Sequence, residues 1–185
     1  AITYNSWTYI VLVIDQASNT ISIYINGVLD KAITPSDYPT IMERTNSYIG
    51  RSNWSDAYFD GQIKSLNIWE RALSAGEIAG LYNMGRHHRV FNIKTDLKHA
   101  IYFDENTASD LTGNSTVTLH GSPTVDADGL NLVKANSQYA RLDSTHIGDT
   151  LTFAFWFKVT SNNSYQPLFS FSDGSKSISC LQHAG

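Results

Sequence analysis

Leu151-Thr152-Phe153-Ala154-Phe155-Trp156-Phe157-Lys158-Val159 alternates without a break. Leu151, Phe153, Phe155, Phe157 and Val159 share one face, and Thr152, Ala154, Trp156 and Lys158 share the other. A period of two belongs to a β-strand, and so many large apolar side chains on one face demand a thick core beneath it. Outward from this stretch the same period recurs. Trp7–Ile14 is a nearly continuous apolar run between Asn5 and Asp15, as expected of a central strand covered on both sides. Ile21, Ile23 and Ile25 alternate with Ser22 and Tyr24, and Asn26-Gly27 then supplies a two-residue turn that tolerates positive φ. The partner strand is Val28–Ile33, ended by Pro35. Shorter strands are predicted at Tyr48–Arg51, Gln62–Glu70, Ala100–Phe103, Thr116–Leu119, Gly129–Val133, Gln138–Leu142, Pro167–Ser172 and Lys176–Leu181. Turn residues lie between them, so the chain is predicted to be all-β, an antiparallel two-sheet jelly-roll sandwich.

One helix interrupts this pattern, near 74–83. Ser74 is a good N-cap, Glu77 completes the capping-box spacing, and Ile78, Leu81 and Tyr82 line one face. The pattern lapses between Asn83 and His99, where Gly85, Arg86-His87-His88-Arg89 and Lys94–Lys98 read as a connector; Val90, Phe91 and Ile93 could pack or add an edge strand. The chain therefore divides into 1–83, a connector 84–98, and 99–185.

The bulk numbers fit a sandwich. The chain has 185 residues, 42% hydrophobic and 12% aromatic, enough for a real core. Only 16% of residues are charged and the formal net charge is −4, so no basic surface exists to grip a polyphosphate and nucleic acid is not an expected partner. No apolar run approaches the roughly 18 residues of a membrane span. Cys180 is the one cysteine, which forbids an internal disulfide and reads as a small buried hydrophobe. Sequons stand at Asn53-Trp54-Ser55, Asn114-Ser115-Thr116 and Asn162-Asn163-Ser164.

In the first segment, Trp7–Asp15, Ile23-Tyr24-Ile25-Asn26-Gly27, Tyr48-Ile49-Gly50-Arg51, Phe59-Asp60-Gly61-Gln62-Ile63 and Trp69–Ile78 follow one another. In that order they resemble the second half of a laminin-G-like, concanavalin A-like jelly roll: a W-x-H-V-A-V strand, a Y-x-N-G hairpin, an I-G strand, F-x-G-x-I-D and a closing R-A-L-S-x-x-E-I. The second segment resembles the first half of the same module, through Ala100–Phe103, Asp110-Leu111-Thr112-Gly113-Asn114, Asn136–Leu142 and Leu151–Lys158. The halves stand in permuted order. Neither closes a core alone, so each must find its complement within the chain or from a neighbouring copy.

The resemblance implies a module of an extracellular, cell-surface or virion-surface protein that recognises a glycan or an extracellular protein. The alternative is a structural subunit of a filament or virion surface, assembled with neighbouring copies of itself by strand exchange. It also implies calcium, with hard oxygen ligands from the Asp110, Gly113 and Asn114 loop. Lys64 departs from the pattern where the family commonly has Asp; its ammonium is expected to stand in the ion's place, paired with Asp110. Loop aromatics beside amides are the candidate ligand-binding residues: Asn53, Trp54, Tyr58 and Tyr165, the last beside Asn162 and Asn163. Trp54 has a second reading, as a lid on the sandwich edge. Glycoside hydrolysis on such a scaffold needs two flanking carboxylates. Glu43, Glu70, Glu77 and Glu105 are scattered, Asp126 and Asp128 read as a turn, and His120, His146 and His183 join no pattern. The expectation is a protein that is not an enzyme.

Overall fold

A computed structural model of the chain describes residues 2–39, 42–90, 92–143, 145–161, 166–174 and 177–182. The strands run in chain order as β1 (Thr8–Asp15), β2 (Thr20–Ile25), β3 (Val28–Ile33), β4 (Met42–Arg44), β5 (Asn46–Ile49) and β6 (Gly61–Trp69). Helix α1 (Ala75–Met84) follows. Then come β7 (Leu97–Asp104), β8 (Thr107–Asp110), β9 (Val117–His120), β10 (Thr124–Asp126), β11 (Gly129–Leu132) and β12 (Tyr139–Leu142). The last four are β13 (Thr145–Ile147), β14 (Leu151–Val159), β15 (Gln166–Ser172) and β16 (Ser177–Gln182).

The 151–159 alternation becomes β14, at the heart of the larger sheet. That sheet runs β10-β11-β6-β14-β1-β2-β3, with β7 paired to β6 and β8 to β7. The smaller sheet runs β16-β15-β5-β12-β9, and β4 and β13 form a separate ribbon. The fold is the antiparallel jelly-roll sandwich that the sequence predicts. Strands from the two segments interleave. β14 pairs with β1 on one side (Phe155 opposite Ile10) and with β6 on the other (Phe155 opposite Leu66). In the smaller sheet β5 lies between β12 and β15, with Ile49 opposite Ala140 and Phe169. Each segment thus completes the other's sheets within one chain.

The core lies between the sheets. Leu151, Phe153, Phe155, Phe157 and Val159 meet Ile10, Ile63, Leu66, Ile101, Phe169 and Phe171 there. Phe153, Phe157 and Phe171 are wholly buried, and each such side chain contributes about 1.5–3 kcal/mol relative to exposure. A second cluster covers the outer face of the larger sheet. Tyr9, Val11, Val13 and Ala154 pack under Ile78 and Leu81 of α1, and Trp156 stacks on Tyr82 at 5.7 Å. β1 is therefore covered on both faces, as its unbroken apolar run requires.

Local chemistry sets the turns. Asn26 (φ 51°) and Gly27 (φ 80°) form the hairpin, and Asn26 Oδ1 accepts from the Tyr9 amide at 2.9 Å. The capping box of α1 is complete, with Ser74 accepting from the Glu77 amide and Glu77 accepting from Ser74 N–H. Gly129 must lack a side chain, because a Cβ there would stand 2.5 Å from the Ile63 carbonyl oxygen.

Several sequence expectations shift. β7 begins at Leu97, inside the expected connector. The β7–β8 hairpin was not foreseen because its turn puts Glu105 (φ 44°) and Asn106 (φ 67°) in left-handed conformations, unusual for glutamate. β4, β10 and β13 are three residues long, too short for alternation to declare itself. In the connector Val90 is buried and Ile93 packs beside it, whereas Phe91 lies outside the described residues. Lys176 and His183 also lie outside them. Cys180 is half-buried against the core. Among the described residues no helix is long and apolar enough to cross a membrane.

Candidate functional site

The register of the smaller sheet sorts its side chains. Leu119, Ala140, Ile49, Phe169 and Cys180 fall in one row, facing the core. The neighbouring rows face outward: Thr118, Arg141, Tyr48, Ser170 and Ser179 in one, and His120 with Tyr139 in the next. This outer face carries a continuous aromatic surface. His120 lies flat on Tyr139, with ring centroids 4.5 Å apart and planes within 6°. Tyr48 meets Tyr139 edge-on at 5.5 Å, and Tyr58 leans on it at 6.0 Å. The Arg51 guanidinium sits over both the Tyr48 ring (4.6 Å) and the Tyr139 ring (4.9 Å). All five side chains are half-exposed. Such pairs attract through ring quadrupoles and cation–π contact, so the platform is held rigid while its rim meets water.

The loop after Arg51 borders this platform. Asn53 Nδ2 donates to the Asn46 carbonyl (3.2 Å) and to Ser170 Oγ (2.8 Å), and Ser170 stands across from Tyr48 in register. Ser52 Oγ accepts from the Trp54 amide at 3.0 Å, and the Trp54 side chain is 70% exposed. That exposure corrects the lid reading of Trp54, which covers no core. Asn53 is an anchor of the loop: its amide nitrogen, the atom that glycosylation would modify, is already engaged twice. The Asn114 amide is similarly engaged, donating to the Lys98 carbonyl at 2.7 Å.

Of the residues singled out from sequence, Asn53, Trp54 and Tyr58 come to this one region, and Tyr165, Asn162 and Asn163 lie outside the described residues. Sequence reasoning missed Tyr48, Arg51, His120 and Tyr139. Their signal was available: in three strands an aromatic or imidazole ring occupies the position next to an inward Ile49, Leu119 or Ala140.

Asp110, Gly113 and Asn114 line an open depression with Asp143, but the residues do not fit a calcium ion there. The Asp110 side chain is fully buried. Its Oδ1 accepts from the Ala100 amide (3.0 Å), the Thr112 amide (3.0 Å) and Thr112 Oγ1 (2.7 Å), and its Oδ2 lies 2.7 Å from His99 Nδ1. Burial alone would raise its pKa, but the bonds from His99, Ala100 and Thr112 outweigh it and hold the carboxyl at about 2. A carboxylate with its lone pairs so occupied has none to offer a metal. Among the described residues no three His, Cys, Asp or Glu side chains gather as a metal-binding set.

The expected Lys64–Asp110 pair is also corrected. Lys64 is buried and its Nζ donates to Asp104 Oδ1 (2.9 Å) and to the carbonyls of Ala127 (2.9 Å) and Phe103 (3.2 Å). Asp110 takes His99 instead because both side chains leave paired strands on the same face. Four further acids have structural partners. Glu77 binds Arg71 and Ser74, and its carboxyl is held at about 2 by the Arg71 hydrogen bond first and the Ser74 amide second. Glu70 lies 3.7 Å from Lys98, Asp128 is paired with Arg86, and Asp126 accepts from the amides of Asp128 and Gly129.

No curated protein and no solved structure gives a significant match to this chain. A family model does: residues 1–79 match the laminin-G-type model of the concanavalin A-like lectin/glucanases superfamily. Over residues 1–79 the chain is thus similar to a laminin-G-type module of that superfamily, and strands from residues 97–182 complete the sheets to which this segment belongs.

Proposed function

We propose that this chain is a non-catalytic recognition module of an extracellular or surface protein, and that it binds carbohydrate on the outer face of its smaller sheet. The observation that carries the reading is the aromatic platform of Tyr48, Tyr58, Tyr139 and His120 with Arg51 between its rings. Sugar rings present apolar C–H faces and polar rims. A rigid aromatic surface desolvates the first, and Arg51, Arg141 and Thr118 on the same face offer hydrogen bonds to the second. Trp54, 70% exposed, lies in the loop that follows β5 and Arg51 and offers a further aromatic face to a ligand.

The partners of five of the acids support the non-catalytic side of the reading. Glycoside hydrolysis needs one carboxyl free to protonate a leaving group and another free to attack or to activate water. Glu70, Glu77, Asp110, Asp126 and Asp128 each hold a structural contact instead. A glycan array probed with the purified chain and with Tyr139→Ala tests the proposal. Binding that Tyr139→Ala abolishes, with the melting temperature nearly kept, is the expected result. Glycans bound equally by both proteins, or release of reducing ends from bound glycans, would refute it.

A further inference from the structure

The aromatic platform contains one group whose bonding capacity nothing else in the fold uses. Arg51 is half-exposed, and its guanidinium carbon stands 4.6 Å from the Tyr48 ring centroid and 4.9 Å from that of Tyr139. Contact with two rings fixes the place of the charge but engages none of the N–H donors. Among the described residues Arg51 has no hydrogen-bond or ion-pair partner, so the donors of a positioned guanidinium are left for a ligand. A second cation stands beside it. Arg141 lies directly opposite Tyr48 in register and on the same outward face. Its Nη2 donates to the Thr45 carbonyl at 3.4 Å, and its Nε is buried without a partner.

The acids lie off this face. None of the strands β5, β9, β12, β15 and β16 contains an Asp or Glu. Asp56 and Asp60 belong to the segment between β5 and β6, and Asp60 accepts from the Lys134 amide at 3.4 Å. Asp143 follows β12 and lines the depression that holds Asp110, and Asp173 follows β15 and acts on Arg44. Among the described residues none of them is ion-paired with Arg51 or Arg141. The charges on the sheet's own outward positions and immediately beyond β5 are therefore those of Arg141 and Arg51, beside the His120 ring.

We infer that the ligand of this face is an acidic sugar, a uronate or another unit bearing a carboxylate, and that Arg51 determines this specificity. The inference rests on the glycan-binding reading above and names the class of glycan. A sugar carboxylate is planar and stands at the rim of the ring, where it can accept two parallel N–H bonds from one guanidinium, whereas a neutral hydroxyl cannot match that fork. Tyr58 and His120 meet the apolar face of the sugar, Arg51 takes the carboxylate, and Arg141 adds a second positive charge nearby. The rings already hold the guanidinium in place, so binding costs little further side-chain order.

Oligosaccharides ending in glucuronate, galacturonate and N-acetylneuraminate, each paired with its carboxyl methyl ester, are the probes, arrayed beside neutral and sulfated sugars and then titrated into the full chain. The ester keeps the ring face and the hydroxyls and removes the charge. At least one acid is expected to bind about tenfold more tightly than its ester, a preference that shrinks as salt is raised. Arg51→Gln should bring acid and ester to equal affinity, a ratio that a purely structural role of Arg51 would leave unchanged. Should that variant fail to fold, the acid-to-ester ratio of the parent chain and its salt dependence decide the matter. Acid and ester bound equally, a preference that survives Arg51→Gln, or binding confined to neutral or to sulfated sugars would overturn the inference and leave the platform reading standing. Absence of binding to every glycan on the array would overturn both.

Discussion

Removal of either partner from the Lys64–Asp104 pair should destabilise the fold, and the two removals should be unequal. Lys64 ties β6 of the first segment to the end of β7 and to the β10–β11 turn of the second, through Asp104 and the carbonyls of Phe103 and Ala127. The two side chains differ in burial: Lys64 is 2% exposed, whereas Asp104 is 34% exposed. Lys64→Met keeps the volume of the stem and leaves a carboxylate that water can reach. The loss is then the three hydrogen bonds, offset by an ammonium that no longer needs desolvation, a net of about 2 kcal/mol. Asp104→Ala leaves a buried ammonium with two neutral carbonyls and no carboxylate bonded to it, and should cost more, about 3–4 kcal/mol. Urea unfolding followed by tryptophan fluorescence gives both values, and the double variant closes a thermodynamic cycle. If Asp104→Ala proves the milder change, or if both variants stay within about 0.5 kcal/mol of the parent, the ammonium is not held as described and this link between the segments is of no consequence.

Three further outcomes follow from the same geometry. The Asp110 carboxyl is held at about 2 against an unfolded value near 4, so its contribution of about 2 kcal/mol is complete above pH 4 and disappears as pH falls through 2; the stability gap between the parent and Asp110→Asn should therefore be wide at pH 6 and narrow at pH 2.5. Gly27→Ala should cost about 1–2 kcal/mol, because φ is 80° there and a Cβ would lie 3.2 Å from the Tyr82 side chain; an unchanged urea midpoint would contradict it. Calcium titrated into the chelator-treated chain should give no binding heat and no shift in melting temperature, since Asp110 is saturated by internal donors.

The framework was legible in the sequence wherever a strand was long enough to repeat its period. The 151–159 alternation and the Trp7–Ile14 run gave the central pair of strands and their burial. Asn26-Gly27 and Ser74/Glu77 gave the hairpin and the helix start, because those signals are local and rest on backbone conformation. Partners across the fold were not legible. Lys64 was read against Asp110, but the choice between Asp104 and Asp110 depends on how β6, β7 and β8 register, which no single stretch encodes. The platform was half-legible for a related reason. Trp54 and Tyr58 lie in a loop and drew notice as exposed aromatics. Tyr48, Tyr139 and His120 lie in strands, where an outward ring is indistinguishable from a packed one until the neighbouring strands are known.

The interleaving gives the proposed site a dependence on assembly. Tyr48, Arg51 and Tyr58 come from the first segment, and His120 and Tyr139 from the second, brought together because β12 pairs with β5. Without β14, the strands β1 and β6 would have no common neighbour, and Ile10, Ile63 and Leu66 would face water; a patch of that size drives association. Complementation within a chain and exchange between copies would build the same platform, and binding alone does not separate them. A mixture of Tyr48→Ala and Tyr139→Ala proteins, unfolded and refolded together, does. In an exchanged pair, the first segment of the Tyr139 variant meets the second segment of the Tyr48 variant, and one intact platform is restored. In a self-completed chain every platform keeps its defect. The arrangement of β14 between β1 and β6 of its own chain predicts that glycan binding does not return on mixing, and recovered binding in a dimer-sized fraction would show that the strands are shared between copies.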